Sequence, residues 1–272
     1  MKRKLCLIVA VLIFVCSSVQ ARDLIDNYSP AQLAMGRTSL CAENTLFVIA
    51  ANPALLCTTP RITGAICYQN FFELTGIYLF NGGASYNFGK LAGGLLISYY
   101  GDFKIFEERR FTLGLEYSPH KIFSLGINID YSSITFDSRY EALDEFSFGI
   151  GMASFFEQFI LHAVVTEINQ PRLTGSDRRT KPGYRVGMHM NNNHNLVFNI
   201  EVSGRVEQDP QYHFGQEFRI EEHYFLRLGI LTNPTQPSIG LGINWDNYTF
   251  HYGFNDNSDL GQTHSVGISV IL

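Results

Sequence analysis

The 272-residue sequence has no apolar run long enough to be a membrane helix. A helix that crosses a bilayer needs ~20 apolar residues in a row. The opening run, Leu5 to Val15, is too short, and the stretch Phe47 to Leu56 is broken by Asn52 and Pro53. Basic residues are few and scattered. Only Arg178-Arg179-Thr180-Lys181 gathers them, whereas grip on a phosphate backbone needs clustered Lys and Arg, so nucleic acid is excluded as a partner. Cysteine is sparse too, with five residues, and no spacing suits zinc. No glycine-rich phosphate loop, metal-ligand cluster or pair of catalytic carboxylates stands out. The expectation is therefore a protein that is no enzyme and carries no cofactor and no metal.

The first residues read as an address. Lys2, Arg3 and Lys4 precede the apolar run, and Val19-Gln20-Ala21 offers the small-residue pattern of a cleavage site. Residues 1–21 are expected to be a signal peptide, leaving a mature chain from Arg22. A lipoprotein signal would want a small residue before Cys16, and Val15 stands there. Without Lys2, Arg3 and Lys4 the mature chain sets 17 basic residues against 25 acidic ones.

Mean hydropathy is +0.01. That near-zero value conceals a strict alternation from Arg61 onward, the period of a β-strand with unlike faces. Phe123, Leu125, Ile127, Ile129 and Tyr131 alternate with Ser124, Gly126, Asn128, Asp130 and Ser132. Leu196 to Ser203, Ile239 to Asn244 and Val266 to Val270 repeat the pattern. Fourteen such segments are expected, near 61–69, 74–88, 91–100, 109–118, 123–134, 144–153, 156–166, 182–190, 194–203, 211–220, 223–231, 236–245, 247–254 and 262–272. Most have the ~9–11 residues that a tilted membrane strand requires.

Short links alternate with long ones. Gly89-Lys90, Pro119-His120-Lys121, Asn191-Asn192-Asn193, Glu221-Glu222 and Asp246 are turns, and between them fall the longer 101–108, 135–143, 167–181 and 255–261. Short turns on one rim and long loops on the other is the outer-membrane arrangement, and an even strand count puts both chain ends on the short-turn rim. Aromatics mark two heights. Tyr68, Tyr99, Phe111, Tyr131, Phe146, Tyr184, Tyr212 and Tyr252 lie toward the long-loop end of their strands; Phe88, Tyr117, Phe123, Phe156, Tyr224, Trp245 and Tyr248 lie toward the other. Amphipathic rings take such positions at the two membrane interfaces. The reading is all-β: a closed antiparallel transmembrane β-barrel of about fourteen strands, residues 61–272, in a bacterial outer membrane, with lipid as its surroundings.

Residues 22–60 differ. They are apolar, punctuated by Pro30, Pro53 and Pro60, and suggest short helices that must be buried, with the barrel lumen as the place. Ser29-Pro30-Ala31-Gln32-Leu33-Ala34-Met35-Gly36-Arg37-Thr38, followed by Ala50-Ala51-Asn52-Pro53-Ala54-Leu55-Leu56, resembles the opening of the PorV/PorQ-like proteins and of the related FadL-type long-chain fatty acid transporters. The resemblance implies that 22–60 is a plug, or hatch, and that Asn52, Pro53 and Ala54 form its box. This chain departs from the family pattern in its shorter length, in its ending Val270-Ile271-Leu272 without a terminal aromatic, and in keeping only Glu43 of an acidic pair.

Among inward positions, Arg110, Glu116, Asp130, Arg185, Glu201, Glu217, Arg219 and Arg227 carry charge. Buried charge must be paired, so ion-pair ladders between wall and plug are expected. Inward Gly126, Gly149, Gly187, Gly215, Gly229, Gly242 and Gly267 leave room for a plug or ligand, or permit the barrel's bending. Cys41, Cys57 and Cys67 remain in the mature chain, and either Cys41–Cys57 or Cys57–Cys67 is a candidate disulfide in an oxidising compartment. His162, His213 and His251 fall on strands without a nucleophile motif, which reads as hydrogen-bonded lumen histidines. The resemblance implies the binding or passage of a small hydrophobic compound. The alternative it implies is a non-transporting accessory of a secretion or surface-attachment system, with secretion proteins as partners.

Overall fold

The computed structural model describes residues 27–41, 46–102, 106–136, 142–172, 179–192, 195–221 and 223–272. The signal peptide expected at 1–21, residues 22–26, Glu43, Arg178 and the turn residues Asn193 and Glu222 lie outside the described residues.

The strands are β1 Ile62–Asn70, β2 Tyr78–Asn87, β3 Leu91–Asp102, β4 Phe106–His120, β5 Phe123–Phe136, β6 Leu143–Phe155, β7 Phe159–Thr166, β8 Gly183–Asn192, β9 Leu196–Arg205, β10 Gln211–Ile220, β11 Tyr224–Leu231, β12 Gln236–Trp245, β13 Tyr248–Asn257 and β14 Gly261–Ile271. Each pairs antiparallel with its sequence neighbours, and β14 returns to β1, closing the barrel. Closure satisfies the backbone without leaving an edge, which a hydrocarbon surrounding demands.

Register carries the faces from strand to strand. Leu125 sits opposite Met152 and Ile127 opposite Ile150, all outward; Ser124 sits opposite Ala153 and Asn128 opposite Gly149, inward. Along β12, Ile239, Leu241 and Ile243 point out, and Leu241 is 54% exposed. The outer surface is thus a continuous apolar belt. Phe88, Tyr117, Phe156, Tyr224, Trp245 and Tyr248 fringe it on the short-turn rim, and Tyr68, Phe111, Phe146, Tyr212 and Tyr252 on the other. A belt of this extent on a soluble monomer would be an aggregation surface. Here it is the contact with lipid.

Two elements end short of the expected bounds. The second strand begins at Tyr78, not at 74, because the chain is still turning there: Leu74 donates its N–H to the Phe71 carbonyl at 3.0 Å and Gly76 takes a φ of +95°. The seventh begins at Phe159, not at 156, because Phe156 closes a tight turn by donating its N–H to the Phe159 carbonyl at 2.9 Å.

The core is inside the barrel. α1 (Pro30–Ala34) opens with a capping box: Ser29 Oγ accepts from the Gln32 N–H at 3.1 Å, and Gln32 Oε1 accepts from the Ser29 N–H at 2.9 Å. α2 (Val48–Ala51) follows, and then a 3-10 helix, Pro53–Thr58. α1 packs against β11 to β14, while α2 and the 3-10 helix pack against the sector from β2 to β6. Leu46, Phe47, Val48, Ile49, Leu55 and Leu56 form the main buried cluster. Inward glycines make room. A Cβ at Gly126 would lie 2.8 Å from Ala54 Cα, and one at Gly215 would lie 2.9 Å from Met35 Cβ. Gly36 turns the chain after α1 at φ +68°, and its backbone comes so close to the wall that a Cβ would meet the Phe214 and Ile230 carbonyl oxygens at 2.7 Å.

The Cys41–Cys57 bridge is not formed. Cys41 packs with Ala31, Met35 and Val197 of β9, whereas Cys57 sits in the 3-10 helix on the opposite side of the lumen, beside Glu116 of β4. Cys67, on β1, is likewise a buried thiol. The two packing clusters, not a cross-link, set the separation of the sulfurs.

Candidate functional site

A cavity of about 780 Å³ occupies the upper part of the lumen and opens toward the long-link rim. In an outer-membrane barrel that rim is the outer one. Tyr28, Ala50 and Ala51 of the N-terminal segment form its floor. Its lip is apolar, made by Ile77, Tyr100, Phe106, Ile134, Phe136 and Leu143. The wall is also polar: Glu108 of β4 stands level with Tyr100 and Ile134, Arg110 of β4 and Asn128, Asp130 and Ser132 of β5 lie lower, and Arg185 and Arg205 face them across the cavity.

Register explains this layering. Tyr100, Glu108 and Ile134 lie at one height on β3, β4 and β5; Ser98, Arg110 and Ser132 lie one inward position lower, and Thr112 and Asp130 lower still. Arg110 donates to Glu108 Oε1 at 2.9 Å, and Ser132 Oγ donates to the same oxygen at 2.8 Å. Asp130 accepts from Thr112 Oγ1 at 2.5 Å and from Asn128 Nδ2 at 2.9 Å. Across the cavity Arg205 holds Glu167 with both terminal nitrogens.

Two fastenings hold the segment beneath the cavity. The first is the Asn52-Pro53-Ala54 stretch. Asn52 is fully buried and extended, at φ −163°, as a residue before proline should be. Its Oδ1 accepts from the Ala54 N–H at 3.0 Å, and its Nδ2 donates to the Ala163 carbonyl at 3.1 Å and the Met152 carbonyl at 3.3 Å. Ser124 Oγ donates to the Ala54 carbonyl at 2.6 Å. Ser124 and Met152 lie on the halves of β5 and β6 nearer the short-turn rim, and Ala163 is paired with Met152 across the sheet.

The second fastening is at residues 36–40, of which Gly36, Arg37 and Thr38 belong to the stretch that carries the resemblance but are given no contact by it. Glu201 accepts from the Ser39 N–H at 2.6 Å, from Ser39 Oγ at 2.9 Å and from Arg185 at 2.8 Å. Arg185 also donates to the Arg37 carbonyl at 2.9 Å and to Tyr28 Oη at 2.6 Å. Asn199 donates to Thr38 Oγ1 at 2.9 Å and to the Leu40 carbonyl. His213 is in hydrogen-bond contact with the Gly36 carbonyl at 2.8 Å. No spacing in the chain announces Ser39 or Thr38. Only the inward Glu and Arg on neighbouring strands hinted that something polar must meet them.

The expected charges divide. Arg185–Glu201 joins the wall to the N-terminal segment. Arg227 and Glu217 instead pair within the wall, at 2.5 Å between β11 and β10, and Arg227 donates to His251 at 3.2 Å. Arg219 stays out of both pairs; its guanidinium lies over the Phe225 ring at 5.5 Å. His162 stands 3.4 Å from Glu201, and His251 contacts Ser269 at 3.2 Å, so both are wall residues on well-separated strands.

A closed, even-stranded barrel with a lipid-facing belt and an occupied lumen is the construction of a bacterial outer-membrane protein. No family model matches the sequence, and no curated protein matches it. Solved structures do match in fold. The Pseudomonas putida toluene transporter TodX superposes with a TM-score of 0.65 at 10% identity, covering 90% of this chain and 98% of that one. A Pseudomonas aeruginosa FadL homologue gives 0.65 at 9% identity, with 90% and 98% covered. The Acinetobacter baumannii outer membrane protein Omp33 gives 0.55 at 10%, with 78% and 98% covered. The chain therefore has the fold of FadL-type outer-membrane barrels.

Proposed function

We propose that this barrel receives small, partly apolar solutes from outside in its upper cavity and passes them inward when the N-terminal segment moves. One observation carries the reading. The floor of the cavity is the segment itself, at Tyr28, Ala50 and Ala51, so displacing the segment is what would lengthen the cavity into a path. In this reading the segment is a plug, Asn52-Pro53-Ala54 is its lower fastening and Ser39–Glu201–Arg185 its upper one. Structural likeness to a toluene transporter supports the solute class.

The second reading, an accessory of protein secretion or attachment like PorV/PorQ, draws no support from these structural neighbours and would need a partner that grips the outside.

The test is saturable binding of a small arene to the barrel in nanodiscs, by ligand-observed NMR, together with uptake by cells that display it. Ala50→Trp should fill the cavity floor and abolish both, with heat-modifiable gel mobility reporting an intact barrel. Equal binding by wild type and Ala50→Trp refutes the cavity as the site.

A further inference from the structure

We propose that the short-turn rim from β1 to β5 binds an acidic phospholipid of the surrounding leaflet, with its phosphate on Arg61 and its acyl chain along the outer wall above Tyr86. The observation that carries this is an exposed guanidinium that is positioned but not neutralised. Arg61 lines a shallow groove on the outside of the barrel with Tyr86, Asn87, Phe88 and Gly89. Its Nε donates to Tyr86 Oη at 3.1 Å, and the guanidinium lies over the Tyr86 ring, 5.8 Å from its centroid. Phe88 braces that ring, with centroids 4.2 Å apart. A phenol does not offset the charge, and among the described residues no carboxylate pairs with Arg61. Its terminal nitrogens make no hydrogen bond to the described residues. Those are the groups that grip two oxygens of one phosphate with parallel bonds.

Charge on this rim is segregated. Lys90, in the β2–β3 turn, and Lys121, in the β4–β5 turn, extend the positive arc, and neither forms an ion pair among the described residues. The two turns adjoin, since Ser118 donates its N–H to the Lys90 carbonyl at 2.8 Å. Glu116, the acid on the lower end of β4, faces the lumen and is buried. The other short turns carry Glu157, Glu221 and Asp246 instead. An anionic headgroup is thus attracted to one arc, where a zwitterionic one would set its own cation against Lys90.

Position selects a lipid over a soluble anion. Tyr86 stands in an outward row with Ile62 of β1 and Gly93 of β3, and the next outward row up holds Gly64, Ala84 and Leu95. Gly64, Ala84 and Gly93 leave low ground between the exposed side chains of Ile66, Leu95 and Leu115. Phe88, 72% exposed, marks the level of the membrane interface. A chain laid on that ground continues from a headgroup on Arg61; free phosphate gains nothing from it.

Tryptophan quenching by brominated lipids tests this in phosphatidylcholine bilayers. Trp245, the only tryptophan, ends β12 in the acidic arc and is the internal control. A Leu91→Trp reporter, made with Trp245→Phe, sits beside Lys90 on the outer face. Brominated phosphatidylglycerol should be preferred over brominated phosphatidylcholine by about fivefold or more at the reporter, from roughly fivefold per basic group, and not at Trp245. Added salt should narrow the preference. Arg61→Gln with Lys90→Gln should abolish it, and Arg61→Gln alone should reduce it and serves if the double variant does not fold; heat-modifiable mobility reports the barrel. Equal quenching by the two lipids at the reporter overturns the proposal, as does a preference that survives the double variant. Inorganic phosphate at constant ionic strength should leave the preference unchanged. Its loss there would make free phosphate the occupant and overturn the lipid.

Discussion

Glu201→Gln should release the upper fastening while leaving the barrel closed. Glu201 is buried, with 1% of its side chain exposed, and it joins the Ser39 N–H, Ser39 Oγ and Arg185 at 2.6, 2.9 and 2.8 Å. Glutamine keeps the shape and one acceptor oxygen, but it presents an NH₂ toward groups that also donate and removes the Glu201 charge from beside Arg185. Removing one partner of a buried ion pair costs ~3–5 kcal/mol, and the retained oxygen argues for the lower end. At about 1.4 kcal/mol per factor of ten, the population in which residues 36–40 have let go should rise by roughly a hundredfold. The ladder around Glu201, with Gly187 and His213 opposite it on β8 and β10, uses backbone groups alone and should persist. Trypsin reads the difference, because Arg37 lies inside the released stretch. When opening is fast relative to cutting, the rate of cleavage follows the open population. The N-terminal fragment should therefore appear about a hundredfold faster in the variant. Cleavage after Arg37 within threefold of wild type, in a variant that still shows heat-modifiable mobility, would refute the reasoning.

Asn52→Ala removes the cap on Ala54 and both bonds to the wall carbonyls, at a cost of ~1–3 kcal/mol for buried polar groups left unsatisfied. Hydrogen exchange should accelerate across residues 46–58 and stay unchanged in the strands; unchanged exchange there would remove Asn52 from the fastening. Leu125→Arg and Leu241→Arg each put a charge on the lipid face, worth ~2–4 kcal/mol near the midplane, and should weaken folding into bilayers as followed by urea titration. Ser124→Arg, one residue away but inward, should disturb the Ala54 contact instead, so normal insertion of Leu125→Arg would contradict the face assignment. Burial, and then the nearby Glu116 charge, push the Cys57 thiol up to about 11. A raised value means little thiolate at pH 8, so Cys57 should alkylate slowly with iodoacetamide, and Glu116→Gln should speed it.

Much of the barrel was legible because a strand's side-chain period is two, and because lipid on one face and a lumen on the other impose opposite chemistry on alternate residues. Leu125 and Ser124 declare their faces without any knowledge of their neighbours. The alternation of short and long links marks the rims, but turn residues do not fix where strands end. β4 runs on through Pro119 and His120, β8 through Asn191 and Asn192, and β3, β4 and β13 extend into stretches that read as long links, because pairing with a neighbouring strand carries them on. The exceptions are local: residues 74–77 read as the start of a strand, and only the turn that Leu74 closes on Phe71 in the folded chain takes them out of the ladder.

The site was legible only in part. Asn52-Pro53 announces itself, because proline removes an N–H and restricts the residue before it, and an amide side chain can repair the break. Ser39 and Thr38 do not announce this role, since a hydroxyl becomes a fastening only when a wall carboxylate 162 residues away or an amide 161 residues away in the chain arrives beside it. The same holds for charge. Composition reveals an acidic excess, but not that Arg185 meets Glu201 and Arg205 meets Glu167. Sequence periodicity determined which way each side chain points; closure of the barrel and its register decided which of them meet, because pairing across strands is set by the whole ring of fourteen and not by any one of them.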